Sequence, residues 1–228
     1  MCSIGLNQSL YAQRNWSNVT KDIEKAIQVD TIKKKGITLI YINKSNDFDR
    51  SVGDKLKEVF FTNYPKQMKL YNKKSTRQVI FVIDPDYDGI AAAGGGVIRF
   101  SPAWFKKNPK DIDIVTHETM HLVQSYPHNA GPGWITEGIA DYVRHVMGID
   151  NAGANWSLPE YRANHKYTDA YRITARFFLW LEKNKKKGIM KTLDTQMRAK
   201  AYTDDFWVQM TGKNVDELWS EYASNPQI

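Results

Sequence analysis

His117-Glu118-Thr119-Met120-His121, followed after a Pro/Gly-containing turn by Thr136-Glu137-Gly138-Ile139-Ala140-Asp141, is the pair of segments that decides how this chain is read. Residues four apart on a helix project about 40° from one another, so His117 and His121 share one side. Two neutral imidazoles at that spacing can hold one Zn2+, with Glu118 beside them to take a proton from a metal-activated water. The metal acidifies the water, so a carboxylate of modest basicity is enough. A catalytic zinc needs a third protein ligand and an open position. Glu137 is the candidate ligand. Asp141, one turn further on, is placed to accept the ring N–H of a ligating histidine, above all His117.

The helical wheels support this pairing. On the first helix Gln124 falls on the side of His117 and His121, while Val115, Leu122 and Tyr126 lie opposite. On the second, Asp141 and Arg144 share the side of Glu137, while Ile135, Ile139, Tyr142 and Val146 lie opposite. Each helix thus has a polar face that can meet a metal and an apolar face for the core. The small Gly138 and Ala140 permit close helix approach. The rival pattern with a third histidine does not apply, because Gln124 and Pro127 stand where its Gly and His belong. His128 then reads as a loop residue and His145 as structural.

Working outward, Ile37–Ile42, Val79–Ile83 and Val97–Phe100 read as strands. Val52–Tyr71 has helical spacing, with Pro65 marking a bend or break. Gly89–Gly96 reads as a loop whose glycine triplet is a flexible lip. The triplet is no phosphate loop, since no Gly-Lys-Ser/Thr follows it. Val97–Phe100 is expected at the cleft edge, open to pairing with an extended peptide. Helices are expected over 111–126, 134–147, 169–185, 188–200, 204–210 and 215–223. Strands first and helices later predict an α+β fold of zincin-like form: a small N-terminal sheet with helices, a mainly helical C-terminal half, and an active-site cleft between them. A donor for a developing oxyanion is also needed. Tyr171, His165, Tyr167 and Arg172 are candidates; Tyr171 opens a helix and either faces the cleft or packs with Phe177, Phe178 and Trp180.

The 228 residues carry a net charge of +7, 42% hydrophobic and 12% aromatic residues, and one cysteine. A packed core is available and an internal disulfide framework is excluded. The Lys runs at 33–35, 73–74, 106–107 and 185–187 read as solvated loop charge, with no nucleic-acid motif beside them. No apolar run is long enough to span a membrane. Residues 1–20 are expected to be a signal remnant or disordered tail, with one catalytic domain over 21–226.

His117-Glu118-x-x-His121-x-x-Gln124, then Gly133-Trp134-Ile135-x-Glu137-Gly138-Ile139-Ala140-Asp141-Tyr142-Val143-Arg144, resembles the plant and bacterial basic secretory protein family. Tyr171-x-x-Thr174-Ala175-Arg176-Phe177 is similar to it too, as is Phe206-Trp207-x-Gln209-x-Thr211-Gly212-Lys213-x-Val215-Asp216-x-Leu218-Trp219. Arg172 departs from the pattern, which often has Asp there. The resemblance implies a secreted, periplasmic or cell-surface gluzincin-like zinc peptidase, with His117, His121 and Glu137 as ligands and Glu118 as catalyst. The expected enzyme is a monomer that hydrolyses peptide or protein substrates, with no nucleic-acid partner and no membrane span. The alternative is a basic, aromatic-rich binding module for an anionic glycan or cell-wall polymer that retains a zinc site.

Overall fold

A computed structural model describes residues 18–228. The expected signal remnant or tail falls mostly on residues 1–17, outside the described residues. A short helix, α1 (Thr20–Glu24), precedes a hairpin of β1 (Gln28–Lys34) and β2 (Ile37–Asn43). Its two-residue turn has positive φ at both Lys35 and Gly36, the geometry that matches the twist of the flanking strands. Helix α2 (Arg50–Leu70) crosses to β3 (Gln78–Ile83), and a second hairpin, β4 (Ala91–Gly94) and β5 (Val97–Phe100), completes a sheet of order β1-β2-β3-β5-β4. The inner strands β2, β3 and β5 run parallel, and the outer pairs are antiparallel. The remainder is helical: α3 (Pro102–Lys107), α4 (Ile114–Gln124), α5 (Gly133–Met147), a 3-10 turn at Tyr167–Asp169, α6 (Tyr171–Asn184), α7 (Ile189–Arg198), α8 (Asp205–Thr211) and α9 (Val215–Ser224). Among the described residues no helix is long and apolar enough to cross a membrane.

Alternation along the strands sends Leu39, Tyr41, Phe81, Ile98 and Phe100 into the main core, with Leu56, Phe60 and Tyr64 of α2. Ile42, Val82 and Val97 form a smaller cluster of their own. Beside its strands lies a network of charges. Lys44 reaches Asp84 at 2.6 Å and Asp22 at 3.1 Å, and Arg99 reaches Asp22 at 2.6 Å and Asp84 at 2.8 Å. Asp86, largely exposed, also lies 3.8 Å from Lys44; each buried charge here thus faces opposite charge, the condition under which buried charges are tolerated. In the helical half, the aromatic residues Phe177, Phe178, Trp180, Trp207 and Tyr222 are all buried.

Helix α4 is buried along almost its whole length, polar residues included. It holds because those groups are satisfied from α2. Asn63 Nδ2 donates to Thr116 Oγ1 at 2.9 Å, Gln67 Nε2 donates to the Thr116 carbonyl at 2.7 Å, and Thr119 Oγ1 donates to Gln67 Oε1 at 2.8 Å. Helix α5 packs on α6 at Gly138, where a Cβ would lie 2.8 Å from Phe178 Cε2 and closer still to Thr174 Cγ2.

Several local expectations need correction. Pro65 does not break its helix; α2 runs through it. The buried row Leu56, Phe60, Tyr64 outweighs one lost backbone hydrogen bond. The Gly89–Gly96 loop contains β4, because β5 supplies the pairing that Ala-Ala-Ala-Gly does not advertise. Val97–Phe100 is therefore internal, and among the described residues β4 and β1 are the edge strands. Val146, assigned to the core face, is exposed. Strand β1 and helices α1 and α3 were not anticipated, and α4 starts at Ile114 rather than Asp111.

Gly138→Ala is expected to lower stability by about 1–3 kcal/mol, as overpacking of a tight helix contact does. Denaturant melts measure this; an unchanged midpoint would show that α5 and α6 are not locked there.

Candidate metal centre

His117, Glu118 and His121 come from the middle and last turn of α4, and Glu137 and Asp141 from the second and third turns of α5. One ligand atom each from His117, His121 and Glu137 lies within 4.8 Å of the others. His117 Nδ1–H donates to Asp141 Oδ1 at 2.7 Å, and His121 Nδ1–H donates to Gln124 Oε1 at 2.7 Å. Both Nδ1 protons are thereby committed, so each neutral ring turns an Nε2 lone pair inward. The two Nε2 atoms are 3.1 Å apart, and Glu137 Oε2 lies 3.3 Å from one and 3.5 Å from the other. That oxygen is buried with no hydrogen bond of acceptable geometry. With both rings neutral, three electron-pair donors converge here, which fits a bound cation. Two imidazoles and a carboxylate are a donor set suited to zinc.

The electrostatics follow from that convergence. Burial opposes charge on His117, but Asp141 and Glu137 outweigh it and hold the imidazole well above its ordinary 6.5. His121 is raised too, burial again being overcome by Glu137. Glu137 is depressed strongly: burial works against it, and His121 and His117 prevail. Glu118 goes the other way, raised by burial and only partly countered by the two histidines.

Tyr171 does not pack with Phe177, Phe178 and Trp180. It is 54% exposed and its ring lies over His117, centroids 6.2 Å apart and planes 16° from parallel. Its phenol is pushed up to about 12, first by Glu137 and then by burial. The backbone reaches this position through two consecutive non-glycine residues at positive φ, Ala170 (63°) and Tyr171 (50°). Such conformations cost of order 1–3 kcal/mol each and concentrate at functional sites. The other oxyanion candidates are engaged elsewhere. Tyr167 donates to Asp216 at 2.7 Å, His165 Nδ1 accepts from the Arg162 amide at 3.2 Å, and Arg172 donates to the Ser157 carbonyl at 3.4 Å. Arg144 is buried against Asp111 and Trp156, two turns from Glu137. His128 and His145 are exposed.

Two residues at the site were not assigned from sequence. Gln124 lay on the correct wheel face, and its spacing of three from His121 was the available signal. Tyr87, on the β3–β4 loop, had none. Its hydroxyl donates to the Ala91 carbonyl at 3.3 Å, and its phenol is raised to about 12 by burial and then by Glu118.

The raised histidines carry a sign. In the metal-free protein they contribute stability below the ordinary value of 6.5, and this is lost as pH rises through the raised values. Zinc added near pH 7 must displace those protons. Calorimetric titration in buffers of different ionisation enthalpy should show proton release, with zinc affinity falling as pH falls. Buffer-independent heat would mean that the imidazoles are already neutral or do not bind.

The fold resembles a two-domain M1 zinc metallopeptidase solved as a mutant with L-tryptophan bound. The TM-score is 0.52 at 12% identity, over 88% of this chain and 52% of that one. An aminopeptidase N family protein from Idiomarina loihiensis is similar at a TM-score of 0.48 and 12% identity, over 86% of this chain and 46% of that one. The chain spans about half the length of these solved structures, and the likeness to the first is one of fold. No curated protein sequence matches it. A family described as peptidases of plants and bacteria matches residues 30–222, from β1 into α9 and across every residue of the site, and the chain belongs to that family.

Proposed function

We propose that this chain is a secreted zinc peptidase in which His117, His121 and Glu137 hold the metal, Glu118 is the general base and Tyr171 donates to the developing oxyanion. The observation that carries the reading is the buried, unsatisfied Glu137 Oε2 facing two Nε2 atoms whose rings are already anchored at Nδ1. When bound, zinc supplies Lewis acidity, polarising a carbonyl and making water nucleophilic near neutral pH. Glu118 accepts the proton of the attacking water and passes it to the leaving amide nitrogen. Burial raises its pKa, which improves it as an acceptor. Asp141 keeps the proton of His117 at Nδ1. Tyr171 stays protonated over the working range, with its pKa near 12, and so remains a donor. Secretion rests on the resemblance to basic secretory proteins.

A peptide substrate suits the edge of the sheet. Ser101 N donates to the Ile90 carbonyl at 3.0 Å, and the register pairs Ala91 with Phe100. By antiparallel alternation the backbone groups of Ala92 and Gly94 then face β5, while those of Ala91 and Ala93 face outward. Strand β4 also packs against α4, which carries Glu118. An extended peptide adding to β4 as a further strand would run past the metal site.

Glu118→Gln is expected to abolish cleavage of a peptide library while zinc content, read by mass spectrometry, stays at the wild-type level. A variant that still turns over would sink the mechanism. Tyr171→Phe should lower kcat by about 10²–10³-fold with little change in KM, the cost of losing one oxyanion donor. An unchanged kcat would remove Tyr171 from the chemistry.

A further inference from the structure

The structure assigns Gln124 the role of a positioning residue that sets two metal ligands at once, orienting His121 directly and fixing the helix turn that carries Glu137; the inference rests on the metal-site reading proposed above. Gln124 is the last residue of α4, 1% exposed, and both ends of its amide are engaged. Oε1 accepts the His121 Nδ1 proton at 2.7 Å, and Nε2 donates to the Thr136 carbonyl at 2.8 Å. Thr136 immediately precedes Glu137 in the first turn of α5. One side chain therefore spans the two ligand-bearing helices at the ligands themselves.

The amide has one workable orientation. Turned over, it would set N–H against N–H at His121 and oxygen against the carbonyl of Thr136. Its acceptor end selects the tautomer that leaves His121 Nε2 free for a metal. Its donor end holds the carbonyl next to Glu137, so that the carboxylate meets both imidazoles. A glutamate could accept from His121 but could not donate to Thr136, and it would bring another negative charge close to Glu118, Glu137 and Asp141.

The backbone from which the side chain springs is itself fixed. Ser125 ends α4 in a left-handed conformation with φ 42°. Arg198 Nη1 donates to the carbonyls of Val123 and Gln124 at 3.1 and 3.0 Å, and Asn72 Nδ2 also donates to the Val123 carbonyl, at 2.9 Å. The same guanidinium pairs with the fully buried Asp194 and donates to the Tyr71 carbonyl at 3.0 Å. Helix α7 thus anchors the end of α4, and Gln124 carries that anchorage to the metal site. The two histidines are consequently unlike: His117 is backed by a carboxylate and His121 by a neutral amide.

The test compares wild type, Gln124→Leu and Gln124→Glu by zinc affinity, read in competition with a chromophoric chelator, and by the visible spectrum of the Co2+-loaded protein. Thermal melts of the metal-free forms establish that each variant folds. Gln124→Leu should bind zinc about 10–100-fold more weakly and show an altered cobalt spectrum, the usual scale for losing a group that orients a ligand. Gln124→Glu keeps the acceptor but not the donor and should lose about tenfold. A packing role alone would lower the melting temperature and leave the cobalt spectrum unchanged. Wild-type affinity and spectrum in Gln124→Leu would overturn the inference; wild-type values in Gln124→Glu would overturn the bridge to Thr136. If Gln124→Leu does not fold, Gln124→Glu decides. A protein whose zinc site depends on Gln124 but which cleaves no peptide supports this inference and overturns the peptidase reading, whereas a wild type that binds no zinc overturns both.

Discussion

Two imidazole Nε2 atoms and the Glu137 Oε2 repel one another unless positive charge lies between them, and much of the surrounding structure resists that repulsion. Without a metal the charge comes from protons, which is why both histidines are held above their ordinary value. A divalent cation would supply the same charge and release those protons. Proton and metal thus compete for one site, and the contacts that favour one also prepare the other.

Holding three donors together takes restraints from several elements. Helix α4 is clamped from α2 by Asn63 and Gln67 and from α7 by Arg198. Helix α5 is pressed onto α6 at a glycine that leaves no room for a Cβ. Helix α6 begins with two strained residues that raise Tyr171 over His117. The buried polar side chains of α4 would be a liability in an apolar core. Here they serve as the means of registering one helix against the next, and apolar packing alone would leave helix rotation less determined.

The legible part of this arrangement was local. Residues four apart declare a shared helix face, so His117 with His121 and Glu137 with Asp141 were readable before any fold was known, as was the bond from His117 to Asp141. What was not legible depends on partners distant in the chain. Ala91–Gly94 has weak strand propensity and becomes a strand only because Val97–Phe100 turns back beside it. That pairing makes β4, and not β5, an edge strand. Pro65 looks like a helix breaker until the buried face of α2 is counted. The orientation of Tyr171 requires a positive φ at Ala170, which an alanine does not announce. Tyr87 feels the charge of Glu118 across the chain because its loop leads into β4, which packs against α4.

The division of labour between Glu118 and Glu137 is likewise invisible in residue type. Both are glutamates, both are partly or wholly withdrawn from water, and both lie near His117 and His121. Burial raises the pKa of each; the difference is in what answers it. Glu137 points its oxygen between the two imidazoles and is pulled far down, so it stays ionised and can remain a ligand. Glu118 receives the same cations at longer range, together with repulsion from Glu137 and Asp141, and burial wins. A carboxylate whose basicity is raised can accept and return a proton, whereas one held ionised cannot. Environment thus separates two chemically identical groups into one held ionised and one of raised basicity, the difference that the proposed roles of ligand and general base require, and it does so through the same convergence of donors that makes the site attractive to a metal.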